Sequence, residues 1–402
     1  MSELGPSPLA AGETQISVDD ARAAIAAALR PLSAADAQSV PLAQALGRVL
    51  AADLVSPIDV PAHDNSAMDG YAYVGAAMAE GAETLLRVVG TAYAGTPWAG
   101  AVGDGEALRI MTGAVMPAGL DTVVPQELCT VDVDGIVRIA PRTVRVGENR
   151  RRRGEDLARG GAALRGGRVL RPADLGLAAS LGFETLTVMR RLRVALFSTG
   201  DELRSPGQPL DAGCIYDSNR VSLMAAVQRL GMEVVDLGLV RDDPAALQAT
   251  LETAVASADV VLTSGGVSVG EADHTRALLA RMGEVAFWKV AMRPGRPFAF
   301  GPLRRPGGGD PGWLFALPGN PVAALVTFYV FAREGLLRLA GATPQPLPVL
   351  QARCTSAIRK RPGRTEFQRA IVEPAEGGGW QVRLTGSQGA GVLRSMSEAN
   401  AL

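Results

Sequence analysis

The densest chemistry in the chain lies in the run Ser264-Gly265-Gly266-Val267-Ser268-Val269-Gly270-Glu271-Ala272-Asp273. Glycine tolerates dihedrals that other residues avoid and, lacking a Cβ, lets backbone N–H groups close on an anion. Ser264, Gly265, Gly266, Ser268 and Gly270 therefore read as a phosphate cradle. The run lacks the lysine that follows the last glycine of a Walker A loop, and it is not G-x-G-x-x-G, so it signals an anion and not a nucleotide. Four other short segments carry matching groups: Thr199-Gly200-Asp201-Glu202; Asp242 and Asp243; Lys289, Arg293, Gly295 and Arg296; and Pro318-Gly319-Asn320-Pro321. Glu202, Asp242 and Asp273 facing cations from a fourth segment suggest a phosphorylated ligand held partly through Mg²⁺, which takes oxygen ligands. Pro321 suits a first helical turn whose free N–H groups attract an oxyanion. The plainer alternative makes Asp201 and Asp273 helix caps and Asp242 and Asp243 the start of a helix.

Other chemistries are poorly supplied. His63 and His274 are the only histidines, and Cys129, Cys214 and Cys354 are far apart with no C-x-x-C pair. No nucleophile stands out. With 40 Lys and Arg against 41 Asp and Glu the net charge is -1, which argues against a nucleic-acid binder. The arginines Arg150 to Arg153 then read as a solvated face or an intramolecular anion contact. The apolar stretch Val322 to Ala332 is short and follows two prolines, as a buried helix does, so no membrane association is expected. The N-terminus lacks a basic region followed by an apolar one, and the chain is expected to be cytoplasmic and reduced.

These groups need elements to position them, and a length of 402 residues allows two or three domains. Residues 1–12, small, polar and Pro/Gly-bearing, are expected to be a disordered tail. An N-terminal region over 13–190 begins with a helix capped by Ser17 and stopped by Pro31. It contains a β-rich subdomain at about 61–145, with Asp134-Gly135 as a two-residue hairpin turn between TVDV and IVRI. Pro172 opens a further helix.

From 191 to 340 strand-like and helix-like runs alternate: LRVALFS, Asn219 to Leu230, MEVVDLGLV, Pro244 to Ala256, ADVVLTS, and His274 to Met282. Two strand-like runs around AFWKVAM and WLFAL follow, with Gly301 to Gly312 as a flexible hairpin connection between them, and then a helix from Pro321 to Leu339. Near-continuous apolar strands between helices indicate a doubly wound, mostly parallel sheet buried on both faces. Ligands of such sheets bind beyond the carboxyl ends of the strands, where the five loops would converge. After Gly341, β-like runs over 341–402 suggest a small β-barrel. The fold class is thus multidomain α/β, with a central doubly wound domain between a helical and β-rich N-terminal region and a C-terminal barrel.

The motifs Asp64-Asn65-Ser66-Ala67-Met68-Asp69-Gly70-Tyr71-Ala72, Arg109-Ile110-Met111-Thr112-Gly113-Ala114, Gly154-Glu155-Asp156, Ser198-Thr199-Gly200-Asp201-Glu202-Leu203, Tyr216-Asp217-Ser218-Asn219, SGGVSVGEAD, Leu317-Pro318-Gly319-Asn320-Pro321 and Gly386-Ser387-Gln388-Gly389 span most of the chain. In this order they resemble the molybdopterin molybdenumtransferase family, which is found also as the C-terminal part of gephyrin. The resemblance implies insertion of molybdate into adenylylated molybdopterin with Mg²⁺-dependent release of AMP. It implies an elongated homodimer with an active cleft shared between subunits, Asp64 and Thr112 acting in trans. Glu202, Asp242 and Asp273 would position the pterin phosphates and Mg²⁺, and Asp64 and Asp156 would complete the cleft. Ser264, Gly265, Gly266, Ser268, Gly270, Lys289, Arg293 and Arg296 would hold the cofactor, with Pro318, Pro321, Arg364 and Ser387 near the molybdate. Molybdopterin adenylyltransferase and molybdenum enzymes or their chaperones would be protein partners.

The sequence departs from the family where many relatives carry K-P-G-K-P, here Arg293-Pro294-Gly295-Arg296-Pro297; Ala390 stands where serine is common, and His63 where phenylalanine is frequent. Two other readings stand beside the transferase. One is a non-catalytic molybdopterin-binding carrier or scaffold. The other is an enzyme that adenylylates molybdopterin, against which the N-terminal region and C-terminal barrel argue.

Overall fold

A computed structural model of the chain describes residues 15–78, 81–266, 272–343 and 345–402. The expected tail over 1–12, Ser268, Gly270 and the side chain of Asp273 lie outside the described residues. The chain forms two compact units, one from residues up to Ala51 with Gly167–Arg171 and Thr185–Leu402, the other from Ala52–Gly166 with Pro172–Glu184.

The first unit is built on a seven-stranded sheet. In chain order its elements are β1 (Gln15–Ile16), α1 (Val18–Ala28), β2 (Arg193–Thr199), α2 (Ser218–Arg229), β3 (Glu233–Val240), α3 (Pro244–Ser257), β4 (Val260–Ser264), α4 (Ala272–Met282), β5 (Ala286–Val290), β6 (Pro297–Leu303) and β7 (Gly312–Leu317). The last helix, α5, runs from Pro321–Thr327 through a π turn at Phe328–Ala332 into Arg333–Leu339. The strand order is β1-β5-β6-β7-β4-β2-β3, with β7, β4, β2 and β3 mutually parallel and β6 antiparallel to both neighbours.

Consecutive strand residues point to opposite faces. In β2, Val194 and Leu196 enter one core with Phe298, Phe315 and Phe331, while Ala195 and Phe197 enter another with Leu251, Leu279 and Leu314. All four are fully buried, which is why the strand carries no polar alternation.

Helix α1 follows from its sequence. The Ser17 hydroxyl accepts from the Asp20 N–H at 3.0 Å, and Val18, Ala21, Ile25 and Leu29 turn inward to the first of those cores. Pro31 lies just past its end, where the missing N–H cannot continue the helix. At the base of the sheet the Arg190 guanidinium grips Asp259 through two bonds of 2.8 and 2.9 Å and Asp36 through one of 2.9 Å, tying the start of the chain to the end of α3.

Two local expectations are corrected. Strand β6 has no counterpart among the strands expected from sequence, because Pro297, Gly301 and Pro302 look like loop residues. Gly301 is required by packing, since a Cβ there would lie 2.4 Å from the Glu284 carbonyl oxygen. The hairpin is accordingly shorter than Gly301 to Gly312 and joins the paired residues Leu303 and Gly312.

The second unit holds a six-stranded sheet in the order Thr122–Pro125, Gly70–Tyr73, Glu106–Ile110, Thr84–Ala92, Ile136–Ile139, Cys129–Val131. Its last hairpin is not closed by two residues. The Gly135 N–H donates to the Asp132 carbonyl at 3.1 Å and Gly135 has φ 76°, a turn followed by a left-handed glycine, which is the three-residue connection. Pro172 opens the helix Pro172–Ser180 as expected.

Residues after 350 contribute a three-stranded sheet of Arg353–Cys354, Trp380–Leu384 and Ala370–Pro374, and the short strand Thr365–Glu366 pairs with Met292–Arg293. Asn400 closes this end by accepting from the Val372 N–H and donating to its carbonyl, at 2.7 and 2.9 Å. No helix among the described residues is long and apolar enough to cross a membrane.

Partial burial opposes the Asp36 charge, but the Ser33 N–H and the Arg190 guanidinium outweigh it and hold the carboxyl below its ordinary range. Its stabilising effect is therefore complete above the unfolded pKa of about 4 and lost as pH falls through the lower folded value. The gap in melting temperature between the native chain and Asp36→Asn is expected to be constant above about pH 5 and to close toward about pH 2.

Candidate functional site

The parallel strands set the site. Ser264 pairs with Ser198 on one side and Leu317 on the other, so three chains leave the sheet side by side. The loops they feed line a cleft of about 460 Å³ with Thr199, Gly200, Glu202, Asp242, Gly265, Gly266, Arg293 to Pro297, Pro318 to Asn320, Ala323, Gln388 and Ala390. Gly265 has φ 92°, and a Cβ on it would stand 2.5 Å from the Thr199 carbonyl oxygen, so two loops approach as closely as glycine permits. Gly200, with φ 151°, leaves the same kind of room for the Glu202 carboxylate, whose Oε2 would be 2.6 Å from an added Cβ.

The acidic wall is held in place by its neighbours. The Thr199 hydroxyl donates to Asp242 Oδ1 at 2.7 Å, and the Asp242 N–H donates to Asp201 at 3.3 Å. Opposite stand Arg293, exposed, and Arg296, half-buried with its Nε buried and without a partner. Hydrogen-bonding groups are seldom left so, and this one belongs to a side chain that lines the cleft. Glu202 and Asp242 offer the hard oxygens that Mg²⁺ takes and leave further positions to phosphate oxygens and water. Among the described residues no group of three or more His, Cys, Asp or Glu gathers to hold a metal alone.

Beside the cleft, and sharing Arg293, Pro294 and Gln388 with it, is a cavity of about 240 Å³ that Arg359, Glu366, Gln368 and Arg369 also line. Arg369 is 1 % exposed, yet its side chain donates only to neutral groups, Ser395 Oγ and the Gly389 carbonyl, both at 3.0 Å. Burial without a carboxylate pushes its pKa down.

In the second unit the N-terminal motifs meet one another. Both the N–H and the hydroxyl of Thr112 donate to Asp69 Oδ1 at 2.7 Å, and these two bonds lower the Asp69 pKa. Asp64 accepts from the Arg153 N–H at 2.8 Å and lies 3.7 Å from Arg150 Nη1, while the Asp156 N–H donates to the Val60 carbonyl at 3.0 Å. Asn65 Oδ1 and Arg150 Nε are buried there with no partner.

Of the residues singled out in the sequence, Glu202, Asp242, Gly265, Gly266, Arg293, Arg296 and Pro318 line the cleft, and Ser264 lies directly beneath it. Pro321 opens α5 behind the lining, and Asp273 falls in α4 by its backbone. Lys289 sits within β5, paired with Gln15 and Pro297, and lines neither cavity; nor do Arg364 and Ser387. Asp64, Thr112 and Asp156 lie in the second unit, each with its own partner: Arg153, Asp69 and the Val60 carbonyl. Thr199, Asn320, Gln388 and Asp69 fall within the sequence motifs without a role of their own, and Arg369 lies outside all of them. For Arg369 the available signal is its place directly before the apolar run Ala370-Ile371-Val372.

The first unit thus presents a cleft of mixed charge at the carboxyl edge of its α/β sheet. Comparison with known families agrees: residues 16–182 match the MoeA N-terminal region (domain I and II), 195–338 a probable molybdopterin-binding domain, and 351–402 the MoeA C-terminal region (domain IV). The molybdopterin molybdenumtransferase of Haemophilus influenzae is 41% identical over 361 residues, covering 89% of this chain and 87% of that protein. The molybdopterin molybdenumtransferase 2 of Mycobacterium tuberculosis is 40% identical over 375 residues, 90% of this chain and 89% of that one. The crystal structure of the molybdopterin biosynthesis MoeA protein from Pyrococcus horikoshii superposes with a TM-score of 0.80 at 27% identity, covering 96% and 94% of the two chains. The chain belongs to the molybdopterin molybdenumtransferase family.

Because Gly265 combines a left-handed φ with contact against a backbone oxygen, Gly265→Ala is expected to cost about 1–3 kcal/mol in urea unfolding. The same variant should lose anion binding in the cleft by calorimetry, since the Thr199 and Gly265 loops must part.

Proposed function

We propose that this protein inserts molybdate into adenylylated molybdopterin, releasing AMP in a Mg²⁺-dependent reaction. The observation that carries the reading is the pairing of two adjoining sites. One is a cleft with Glu202 and Asp242 beside Arg293 and Arg296; the other is a cavity where Arg293, Arg359 and the buried Arg369 outnumber the one carboxylate, Glu366. The first suits a phosphoanhydride, the second a small dianion such as molybdate.

The chain's own residues would act by orientation and electrostatics, in keeping with the lack of a convincing nucleophile. The N–H groups of the Gly265 and Gly319 loops and the two guanidinium groups receive phosphate oxygens. Thr199 fixes the Asp242 carboxylate through its hydroxyl, so the acidic wall needs little reorganisation during the reaction. Arg369 holds molybdate where Ser395 and Gln388 keep its guanidinium and backbone from turning away. Glu202, Asp242 and Asp273 would hold Mg²⁺, which would supply positive charge against the phosphates and the departing AMP.

The acidic and arginine cluster with Asp64, Thr112 and Asp156 is read as a second contributor to catalysis in a homodimer. The C-terminal sheet is read as a small barrel that carries Arg369. A cytoplasmic enzyme that takes its substrate from molybdopterin adenylyltransferase and supplies molybdenum enzymes or their chaperones completes the reading.

Purified protein given adenylylated molybdopterin and Mg²⁺ is expected to release AMP only when molybdate is added, followed by chromatography of the nucleotide. Tight cofactor binding without AMP release would instead indicate a carrier. Losing a charge-assisted bond from a buried cation costs about 1.5–3 kcal/mol. Arg369→Met should therefore raise the molybdate concentration for half-maximal AMP release roughly 10- to 100-fold, a larger effect than that of Arg364→Met.

A further inference from the structure

The run Tyr216-Asp217-Ser218-Asn219 contributes no residue to the lining of the cleft. Its contacts nevertheless reach the ends of β2 and β4 and the loop that follows β7. Asp217, 1 % exposed, caps α2 by accepting from the Arg220 N–H at 3.1 Å, and it accepts from the Ser198 hydroxyl at 3.1 Å near the end of β2. The first turn of α2 is thereby fixed to the strand that leads into Thr199 and Gly200.

From that fixed turn the Asn219 carboxamide reaches across the sheet edge. Nδ2 donates to Ser264 Oγ at 2.8 Å and to the Gly319 carbonyl at 2.6 Å. A carboxamide nitrogen has two protons, and both are used. Ser264 ends β4 immediately before Gly265 and Gly266, and Gly319 lies between Pro318 and Asn320; both flanking pairs line the cleft. Capping is supplied by Asp217, so the Asn219 side chain is not needed to start the helix.

We propose that Asn219 is a positioning residue that sets the gap between the Ser264–Gly266 and Pro318–Asn320 loops, and so the alignment of their N–H groups on the oxygens of one bound phosphoanhydride. This rests on the reading of the cleft as the phosphate site. An error in such spacing of even a fraction of an ångström weakens every bond the two loops make to one anion together. Asparagine suits the task because one planar NH₂ group makes two bonds in fixed directions, which a hydroxyl cannot do.

Asn219→Ala removes both links. Asn219→Asp keeps the volume but turns an oxygen toward the Gly319 carbonyl, which cannot donate, while the Ser264 hydroxyl can reverse. In the full-length protein, Asn219→Ala is expected to weaken binding of inorganic pyrophosphate, measured by calorimetry without metal, on the order of 10- to 100-fold. Asn219→Asp should also weaken it. Amide exchange at Gly265 and Ala324 should quicken in both variants while that within α2 stays unchanged, and kcat/KM for adenylylated molybdopterin should fall in step. Unchanged pyrophosphate affinity overturns the proposal, as does a lower melting temperature with pyrophosphate affinity of the folded protein intact. If the native protein binds pyrophosphate but releases no AMP, the transferase reading falls and the spacing role of Asn219 stands or falls by the binding and exchange data alone.

Discussion

Everything at the site depends on the register of three parallel strands. Ser198, Ser264 and Leu317 lie abreast in β2, β4 and β7, so the chain leaves the sheet at one level in three neighbouring places. Strand spacing is fixed near about 4.8 Å by the backbone hydrogen bonds, and within it a loop carrying a Cβ at Gly265 would strike the Thr199 carbonyl. The glycines are thus a geometric result of packing three exits onto one edge. The Gly265 N–H is spent in the same crowding, donating to the Leu317 carbonyl at 3.1 Å.

Charge is distributed around that edge according to burial. Where solvent reaches, acid and base stand opposite each other, as Glu202 and Asp242 do to Arg293. Deeper in, Arg369 makes its side-chain bonds to a hydroxyl and a carbonyl, with Arg359 and Glu366 lining the same cavity. An anion arriving beside Arg369 would relieve the cost of burying its guanidinium, which is what the proposed role in molybdate binding requires. The replacement of lysines by Arg293 and Arg296 fits the same pattern, since a guanidinium is less strongly hydrated and offers a planar fork to phosphate oxygens.

The doubly wound unit is legible in the sequence because strands buried on both faces have no choice but to be apolar throughout, as Val194 to Phe197 are. The loops between them are legible for the complementary reason, because glycines, prolines and acids cluster where the backbone must turn. Strand β6 is hidden by two prolines and a glycine that packing requires. Arg369 is hidden by its surroundings, for Arg359, Lys360, Arg361 and Arg364 precede it and nothing in residue type separates the buried arginine from the exposed ones. The clasp of Thr112 on Asp69 joins positions 43 residues apart, and no local pattern foretells such a pairing. Asn219 stands in a motif whose residue types assign it no role, because its two acceptors come from distant loops.

Strand β1 consists of two residues, yet it covers the edge of the central sheet by pairing Gln15 and Ile16 with Lys289 and Val290. The helix that follows sets its apolar face against Phe331 and Leu336, and the Leu32 N–H donates to the Leu339 carbonyl. None of these partners exists while the first helix is leaving the ribosome. The N-terminal segment is therefore a newborn amphipathic helix whose seat is synthesised last but for the C-terminal sheet, and it must wait with its oily side exposed through most of translation. Its alanine-rich composition eases the wait. Of the buried residues on its inward face, Ala21 adds little apolar area and only Val18, Ile25 and Leu29 are larger, which keeps the sticky surface of the nascent chain narrow.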